Sequence, residues 1–112
     1  MGRELYQKLQ SLGAEPPAAE EDAYLEELTS FLVSFDFMKL GQAVSRGQWE
    51  VAMMTLRRME QKAKNLGLRS FGQPFAGLRQ AILNKNVQQG KQIMASLTAK
   101  RVRLREAMRS VD

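Results

Sequence analysis

Apolar residues recur at intervals of three and four along almost the whole chain, and no segment alternates apolar with polar residues between Asn-Gly or Asp-Gly turns. An interval of three to four residues is the period of an amphipathic α-helix, whereas a half-buried strand requires strict alternation. The pattern therefore predicts an all-α protein.

Glycines, prolines and an asparagine-rich turn divide this pattern into five predicted helices. The first covers residues 3–12 and is followed by a linker that contains Pro16 and Pro17, since proline removes a backbone donor and restricts the residue before it. The other four predicted helices cover about residues 20–46, 48–66, 70–83 and 87–108. Short connections between amphipathic helices favour an up-down-up-down four-helix bundle with an additional short N-terminal helix. We accordingly expect an N-terminal helix and linker in residues 1–19 and the bundle in residues 20–112.

The second predicted helix carries more apolar surface than one face can hold. Its main stripe consists of Leu25, Leu28, Leu32, Phe35 and Ala43, and other apolar residues, among them Phe37, lie off this stripe. Because apolar surface outside the stripe has to be covered, we expect the first helix to pack against the second.

Three polar residues occupy special positions in the predicted helices. Ser70 and Gln73 have the spacing of a capping box, which predicts that the fourth helix begins there. Arg101 falls inside the apolar stripe of the last helix, so either its charged head reaches solvent past an apolar stem or the helix extends beyond the bundle.

Composition excludes most catalytic chemistry. The chain has 112 residues, of which 44% are hydrophobic and 26% are charged, and it contains neither cysteine nor histidine. The absence of both residue types removes thiolate nucleophiles, imidazole bases, phosphohistidine and zinc sites built on Cys or His. We therefore expect a protein that is not an enzyme and that has no cofactor and no metal site.

Charge is distributed unevenly along the chain. Residues 1–45 hold eight acidic and three basic side chains, a balance of −5, and residues 46–112 hold fourteen basic and four acidic ones, a balance of +10. This asymmetry favours an acidic partner for the basic part. The sequence has no run of 18 apolar residues and no signal-peptide pattern at its start, so we expect a cytoplasmic protein without a membrane partner.

Three local patterns follow one another along the chain. They are the Ala-Val-Ser-Arg-Gly-Gln-Trp segment of residues 43–49, the Asn-Leu-Gly-Leu turn of residues 65–68, and a closing helical pattern in residues 78–97 with a short break at residues 84–86. Together they resemble the histidine-containing phosphotransfer (HPt) domain of bacterial two-component phosphorelays. In that family an Ala-x-x-x-Gly-Asp-Trp loop joins the second and third helices, and an Asn-Leu-Gly-Ala turn precedes the last two. The resemblance covers roughly residues 20–108, and it implies the four-helix bundle of an HPt domain.

The chain departs from the family at the phosphorylation motif. The family's His-x-Leu-Lys-Gly-Ser/Thr motif places the His eight residues before the Asn of the turn, and Arg57 stands at that position here. Glu60 stands at the family's Lys and Gln61 at its Gly. Because a guanidinium stays protonated and is a poor nucleophile, Arg57 cannot replace the phosphorylated imidazole. The resemblance therefore implies an HPt-like module that does not carry phosphate.

The third predicted helix holds the candidate binding residues. Arg57, Gln61 and Lys64 follow one another at helical spacing on a polar face, and Glu60 lies nearer the apolar stripe. The resemblance implies that this face docks a receiver domain or a histidine kinase, and Arg57 can then pair with the acidic pocket of a receiver. An ordinary solvated face explains the same four residues about equally well. Two further basic residues of this helix, Arg58 and Lys62, are expected to be plain surface.

Two other functions remain open at this point. One is nucleic-acid binding by the densest basic cluster, which consists of Lys100, Arg101, Arg103, Arg105 and Arg109. Cations at the C-terminal end of a helix also interact favourably with its dipole, and this explains the cluster without a ligand. The other is a protein–protein scaffold with an unrelated partner, including a homo-oligomer. Trp49, Met53, Met59 and Met94 have the spacing of core residues, whereas Met38, Met54 and Met108 are candidate interface residues.

Overall fold

The computed structural model of the protein describes residues 2–16 and 21–109. Its elements in chain order are α1 (Gly2–Ser11), α2 (Glu21–Leu32), α3 (Phe35–Ser45), α4 (Trp49–Asn65), a 3-10 turn (Arg69–Phe71), α5 (Gly72–Leu83) and α6 (Val87–Arg109). No β-strand occurs in these two ranges. The prediction of an all-α protein is therefore confirmed, and α1, α4 and α6 agree with their predicted helices to within one or two residues.

The prediction of one helix over residues 20–46 is wrong, because the chain leaves the helical path between Leu32 and Phe35. The Ser34 hydroxyl accepts a hydrogen bond from the backbone N–H of Asp36 at 3.1 Å. In a continuous helix that N–H would donate to the carbonyl of Leu32. A serine side chain that binds nearby backbone in this way competes with the helical bond and begins a new helix.

Arg101 of α6 donates a hydrogen bond to the Leu32 carbonyl, which the break leaves without its helical partner. Its Nε–H donates to the backbone oxygen of Leu32, and its guanidinium carbon lies 5.0 Å from the centre of the Phe37 ring. Leu104, which follows on α6, is fully buried, so the helix does not extend beyond the core at Arg101. The charged head is therefore held against α2 and α3.

The break also changes which phenylalanine is buried. Phe35, predicted in the apolar stripe, is 80% exposed, and Phe37, predicted outside it, is 5% exposed. Residues 33 and 34 are not helical, so the helical period restarts at Phe35 and the inward position falls two residues later. Phe37 joins a cluster of edge-to-face and tilted rings with centre distances from 5.3 to 6.4 Å, whose members are Phe31, Phe37, Phe71 and Phe75.

The helices α3, α4, α5 and α6 surround the main core. Helix α3 packs against α4 and α6, and α5 packs against the same two helices. Helices α3 and α6 approach closely at Gly90, where a Cβ atom would lie 2.5 Å from Cγ1 of Val44. Helix α1 buries Leu5 and Leu9, and its main packing partner is α6 rather than the second predicted helix.

The predicted capping box at Ser70 is wrong. Ser70 lies in the 3-10 turn, and α5 begins two residues later without a side-chain cap. The backbone N–H of Ser70 donates to the carbonyl of Gly13 at 3.2 Å, and the Ser70 hydroxyl is buried without a hydrogen bond to any described residue. Ser70 thus connects the 3-10 turn to the segment after α1.

None of the helices in residues 2–16 and 21–109 is long and apolar enough to span a membrane.

Candidate functional site

A groove of about 670 Å³ lies between the C-terminal half of α4 and the start of α5. Arg57, Glu60, Gln61 and Lys64 all line it. Arg57, Gln61 and Lys64 are exposed because they lie on the outer side of α4, whereas Glu60 is half-buried at the junction with α5. The structure thus brings the four residues singled out from the sequence into one concave surface.

The end of the groove is formed by the turn after α4 and by the segment after α1. Gly67 has φ +66°, and its carbonyl accepts a hydrogen bond from the backbone N–H of Glu15 at 2.8 Å. A Cβ atom at Gly67 would lie 2.6 Å from the carbonyl oxygen of Glu15. Only glycine combines this left-handed conformation with so close an approach of two backbones. The turn therefore docks the linker beside α4 and places the Glu15 side chain at the groove.

Most of the charge in the groove is paired. Glu60 accepts a hydrogen bond from Arg79 of α5, and Glu15 forms an ion pair with Arg69 of the 3-10 turn at 3.0 Å. The Arg69 and Glu15 side chains are 67% and 54% exposed, so this pair is well hydrated and readily exchanged for another anion. Gln61 donates a hydrogen bond to Asn65 at 3.1 Å, one turn further along α4.

Two cations remain without a counter-charge in the groove. Arg57 and Lys64 form no ion pair with another residue of the described ranges. The groove therefore has an excess of two positive charges over its carboxylates. An exposed guanidinium binds carboxylate or phosphate oxygens with two parallel hydrogen bonds, so the chemistry of this surface favours an anionic partner.

Three charged residues of the groove, Glu15, Arg69 and Arg79, were not predicted from the sequence. They belong to the linker, the 3-10 turn and α5, and they meet α4 only in the folded chain. Helical periodicity relates residues of one helix, so it carries no signal for them. The predicted set is the part of the groove that a single helix contributes.

Arg58 and Lys62 are exposed, as predicted, but both also contact a carboxylate of α3. Both point to the α3 side of α4, where Asp36 lies 2.9 Å from Arg58 Nη2 and 4.0 Å from Lys62 Nζ. The hydrogen bond from Arg58 to the Asp36 carboxylate, together with the charge of that group, raises the pKa of Arg58 above its usual value. These contacts anchor α3 to α4 and line a second recess of about 630 Å³ beside the break.

The C-terminal basic cluster does not form one free face. Arg101 is held by Leu32 and Phe37, and burial, followed by the nearby charge of Arg105, lowers the pKa of its guanidinium. Arg103 is exposed and lines a shallow recess beside α1. The cluster is thus divided between a structural contact at Arg101 and separate, partly or fully exposed positions along α6.

The predicted core residues of α4 and α6 are confirmed. Met59 is fully buried, Met94 is 9% exposed, and Trp49 and Met53 are half-buried against the core. Of the candidate interface residues, Met38 and Met54 are 55% and 68% exposed. Met108 instead packs against the core.

In residues 2–16 and 21–109, no three acidic side chains are placed to hold a metal ion together. In the comparisons with known proteins, no family model, no curated protein and no solved structure matches this chain. The geometry and charge of the α4 groove are therefore the basis of the functional argument.

Proposed function

We propose that the protein is a non-catalytic, HPt-like binding module that docks a receiver domain of two-component signalling through the α4 groove without carrying phosphate. In this proposal the molecule is a regulator or adaptor in a phosphorelay, and its fold is the four-helix bundle of that family with α1 added. The observation that carries the proposal is the convergence of Arg57, Glu60, Gln61 and Lys64 on one groove with excess positive charge.

The packing of the helices supports the fold proposed. Helices α3, α4, α5 and α6 contact one another in a closed order, in which each helix packs against the next and α6 packs against α3. Helices α2 and α3 both pack against α6, which supports the proposal that the two together take the place of one long helix with a break. A ring of four sequentially adjacent helices is what an up-down-up-down bundle requires, so these contacts support the proposed fold.

The position of Arg57 supports a docking role. It stands where the resemblance predicts the phosphorylated His, and it is exposed on the outer side of α4. A receiver's acidic pocket placed over this point meets Arg57 and then Lys64, two turns further along α4. Favourable charge complementarity of this kind raises the association rate and fixes orientation.

The test is a binding titration of the full chain against a panel of purified receiver domains, beginning with those encoded beside its gene. Arg57→Glu sets a carboxylate against the receiver's acidic pocket and is expected to raise Kd by about tenfold or more, or about 1.4 kcal/mol. Lys91→Glu is the matched control, since Lys91 is exposed on α6 and lies outside the groove. Absence of binding to every receiver, or equal effects of the two reversals, would contradict the proposal.

The same titration separates nucleic-acid binding from receiver docking. Arg103→Glu combined with Arg105→Glu removes charge from the C-terminal cluster and leaves the structural Arg101 in place. If duplex DNA is the partner, this double variant loses binding, and the wild-type affinity falls steeply as salt rises because phosphate contacts release counterions. If a receiver is the partner, the double variant binds it as the wild type does.

A further inference from the structure

Three exposed apolar side chains lie at the break between α2 and α3. Val33 is 51% exposed, Phe35 is 80% exposed and Met38 is 55% exposed. A single exposed apolar residue is ordinary on a protein surface, but three within six residues of chain form a local patch. The patch is separate from the α4 groove, because none of the three residues lines that groove.

The patch is the middle of a longer outward-facing row, which we call the α2–α3 stripe. On the α2 side, the exposed residues Asp22, Glu26, Ser30 and Val33 are three or four residues apart. On the α3 side, Phe35, Lys39, Gln42 and Arg46 are spaced in the same way. The members of the stripe are Asp22, Glu26, Ser30, Val33, Phe35, Met38, Lys39, Gln42 and Arg46.

Contacts with α6 indicate that the stripe is continuous across the break. Helix α2 meets α6 at the Leu32–Arg101 hydrogen bond and at Thr29, whose hydroxyl lies 4.0 Å from the sulfur of Met108. Helix α3 meets α6 at Val44, which lies against Gly90. Residue numbers rise along α2 and α3 while those of the α6 partners fall. Both helices therefore run antiparallel to α6, one after the other, and present their outer sides in the same direction.

Charge along the α2–α3 stripe follows a fixed order. Asp22 and Glu26 precede the apolar patch, and Lys39 and Arg46 follow it. None of these four side chains forms an ion pair with another residue in the described part of the chain. An acidic end, an apolar centre and a basic end make a surface that is complementary to itself when the second copy is reversed.

We propose that the protein associates with a second copy of itself as a symmetric dimer through the α2–α3 stripe. A twofold axis through the apolar patch pairs the patches of the two copies and places Glu26 of each copy opposite Arg46 of the other. A partner helix of uniform charge would instead be repelled at one end of the stripe. The polarity of the stripe thus favours a second copy over an acidic or a basic partner.

The length of the stripe is sufficient for a helix–helix interface. From Glu21 to Ser45 the two helices contain 23 residues joined by two more. At a rise of about 1.5 Å per residue they extend for roughly 35 Å, which is most of the molecule's long dimension of 44 Å. The α4 groove shares no residue with the stripe, so the proposed dimer contact does not use the groove.

The first experiment is sedimentation equilibrium of the full chain from low micromolar to near-millimolar concentration. We expect the wild-type mass to rise from one chain to two, and Phe35→Asp to remain at the mass of one chain throughout. The matched control is Leu83→Asp, since Leu83 is 61% exposed on α5 outside the stripe and should not alter the dimer. A wild-type chain that stays monomeric overturns the proposal and leaves the stripe to a different protein.

The second experiment tests the pairing of charges. Glu26→Arg alone and Arg46→Glu alone each set like charges opposite one another at two symmetric places, so each should weaken dimerisation at least tenfold. The double variant again places opposite charges at positions 26 and 46, with the two signs exchanged. Its dimer dissociation constant should lie within about threefold of the wild-type value. All of these positions are exposed, and circular dichroism verifies that each variant is folded. Failure of the double variant to recover dimerisation overturns the proposed orientation.

Discussion

Replacement of Arg101 by methionine tests whether this residue joins the two halves of the broken helix. Methionine keeps an unbranched apolar stem of similar length and removes the guanidinium. The variant therefore loses the hydrogen bond to the carbonyl of Leu32 and the contact with the face of Phe37. Both losses fall on the junction of α2, α3 and α6.

The structure permits an estimate of the cost. Leu32 is 1% exposed, so its carbonyl has little access to water when the guanidinium is removed. An acceptor left without its charged donor costs about 1 to 3 kcal/mol, and a cation over an aromatic ring adds about 0.5 to 1 kcal/mol at a partly exposed site. Because Arg101 is only half-buried, water can enter after its removal, and we expect a loss of about 2 kcal/mol in the free energy of unfolding.

Urea unfolding followed by circular dichroism measures this loss. The free energy of unfolding of a small domain falls by about 1.5 kcal/mol per molar urea. A loss of about 2 kcal/mol therefore lowers the urea concentration at the unfolding midpoint by roughly 1.3 M. Arg103→Met is the matched control, since Arg103 is exposed on the same helix and its replacement should cost less than about 0.5 kcal/mol. An Arg101→Met variant within about 0.5 kcal/mol of the wild type would refute the assigned role.

Three further predictions concern the chemistry and packing of the chain. Incubation with a phosphorylated receiver, or with an active kinase and labelled ATP, should leave no acid-labile phosphate on this protein, because it has no histidine and Arg57 is no phosphoryl acceptor. Burial, followed by the proximity of Tyr6, raises the pKa of Tyr24 to about 12. The unfolded chain loses that proton first, near pH 10, so wild-type stability should fall between about pH 10 and pH 12 more steeply than that of Tyr24→Phe; parallel profiles would contradict this. Gly90→Ala should destabilise the fold by about 1 to 2 kcal/mol because its Cβ meets the stiff Val44 side chain, whereas Gly72→Ala, with open space around it, should not.

Elements whose determinants are local in sequence were predictable. Helix α4 carries apolar residues at an unbroken helical spacing, and α6 does so with the single interruption at Arg101. Gly67 ends α4 because it adopts a left-handed conformation. The burial of Met59 and Met94 follows from the same spacing. In these segments the local pattern and the tertiary packing agree, which is why periodicity alone was sufficient.

The break between α2 and α3 depends on contacts that no window of sequence contains. The Ser34 hydroxyl competes for the N–H of Asp36, but a serine within a helical pattern is common and does not by itself end a helix. The break becomes favourable because Arg101, 69 residues away from Leu32 along the chain, satisfies the carbonyl that is released. Once the period is interrupted, Phe37 rather than Phe35 turns inward, and the error in the predicted core follows from the same cause.

The candidate site likewise contains residues whose proximity follows from the local sequence and residues that only tertiary packing brings together. Arg57, Gln61 and Lys64 share one face of one helix, and their proximity follows from the helical period. Arg79 and Glu15 reach the groove through tertiary packing, and they determine how much of its charge is free. The unpaired charge of Arg57 and Lys64 is therefore a property of the folded chain, although both residues were identifiable beforehand.

The two proposed surfaces can be tested independently because they use different faces and different sources of affinity. The α4 groove offers uncompensated positive charge to an anionic partner, whereas the α2–α3 stripe offers an apolar centre between opposite charges to its own reversed copy. Arg57→Glu should therefore weaken receiver binding and leave the sedimentation mass unchanged. Phe35→Asp should leave receiver binding unchanged and lower the sedimentation mass to that of one chain. If Phe35→Asp also abolished receiver binding, the receiver would require the dimer, and the affinity of the wild type would then depend on its own concentration through the dimerisation equilibrium.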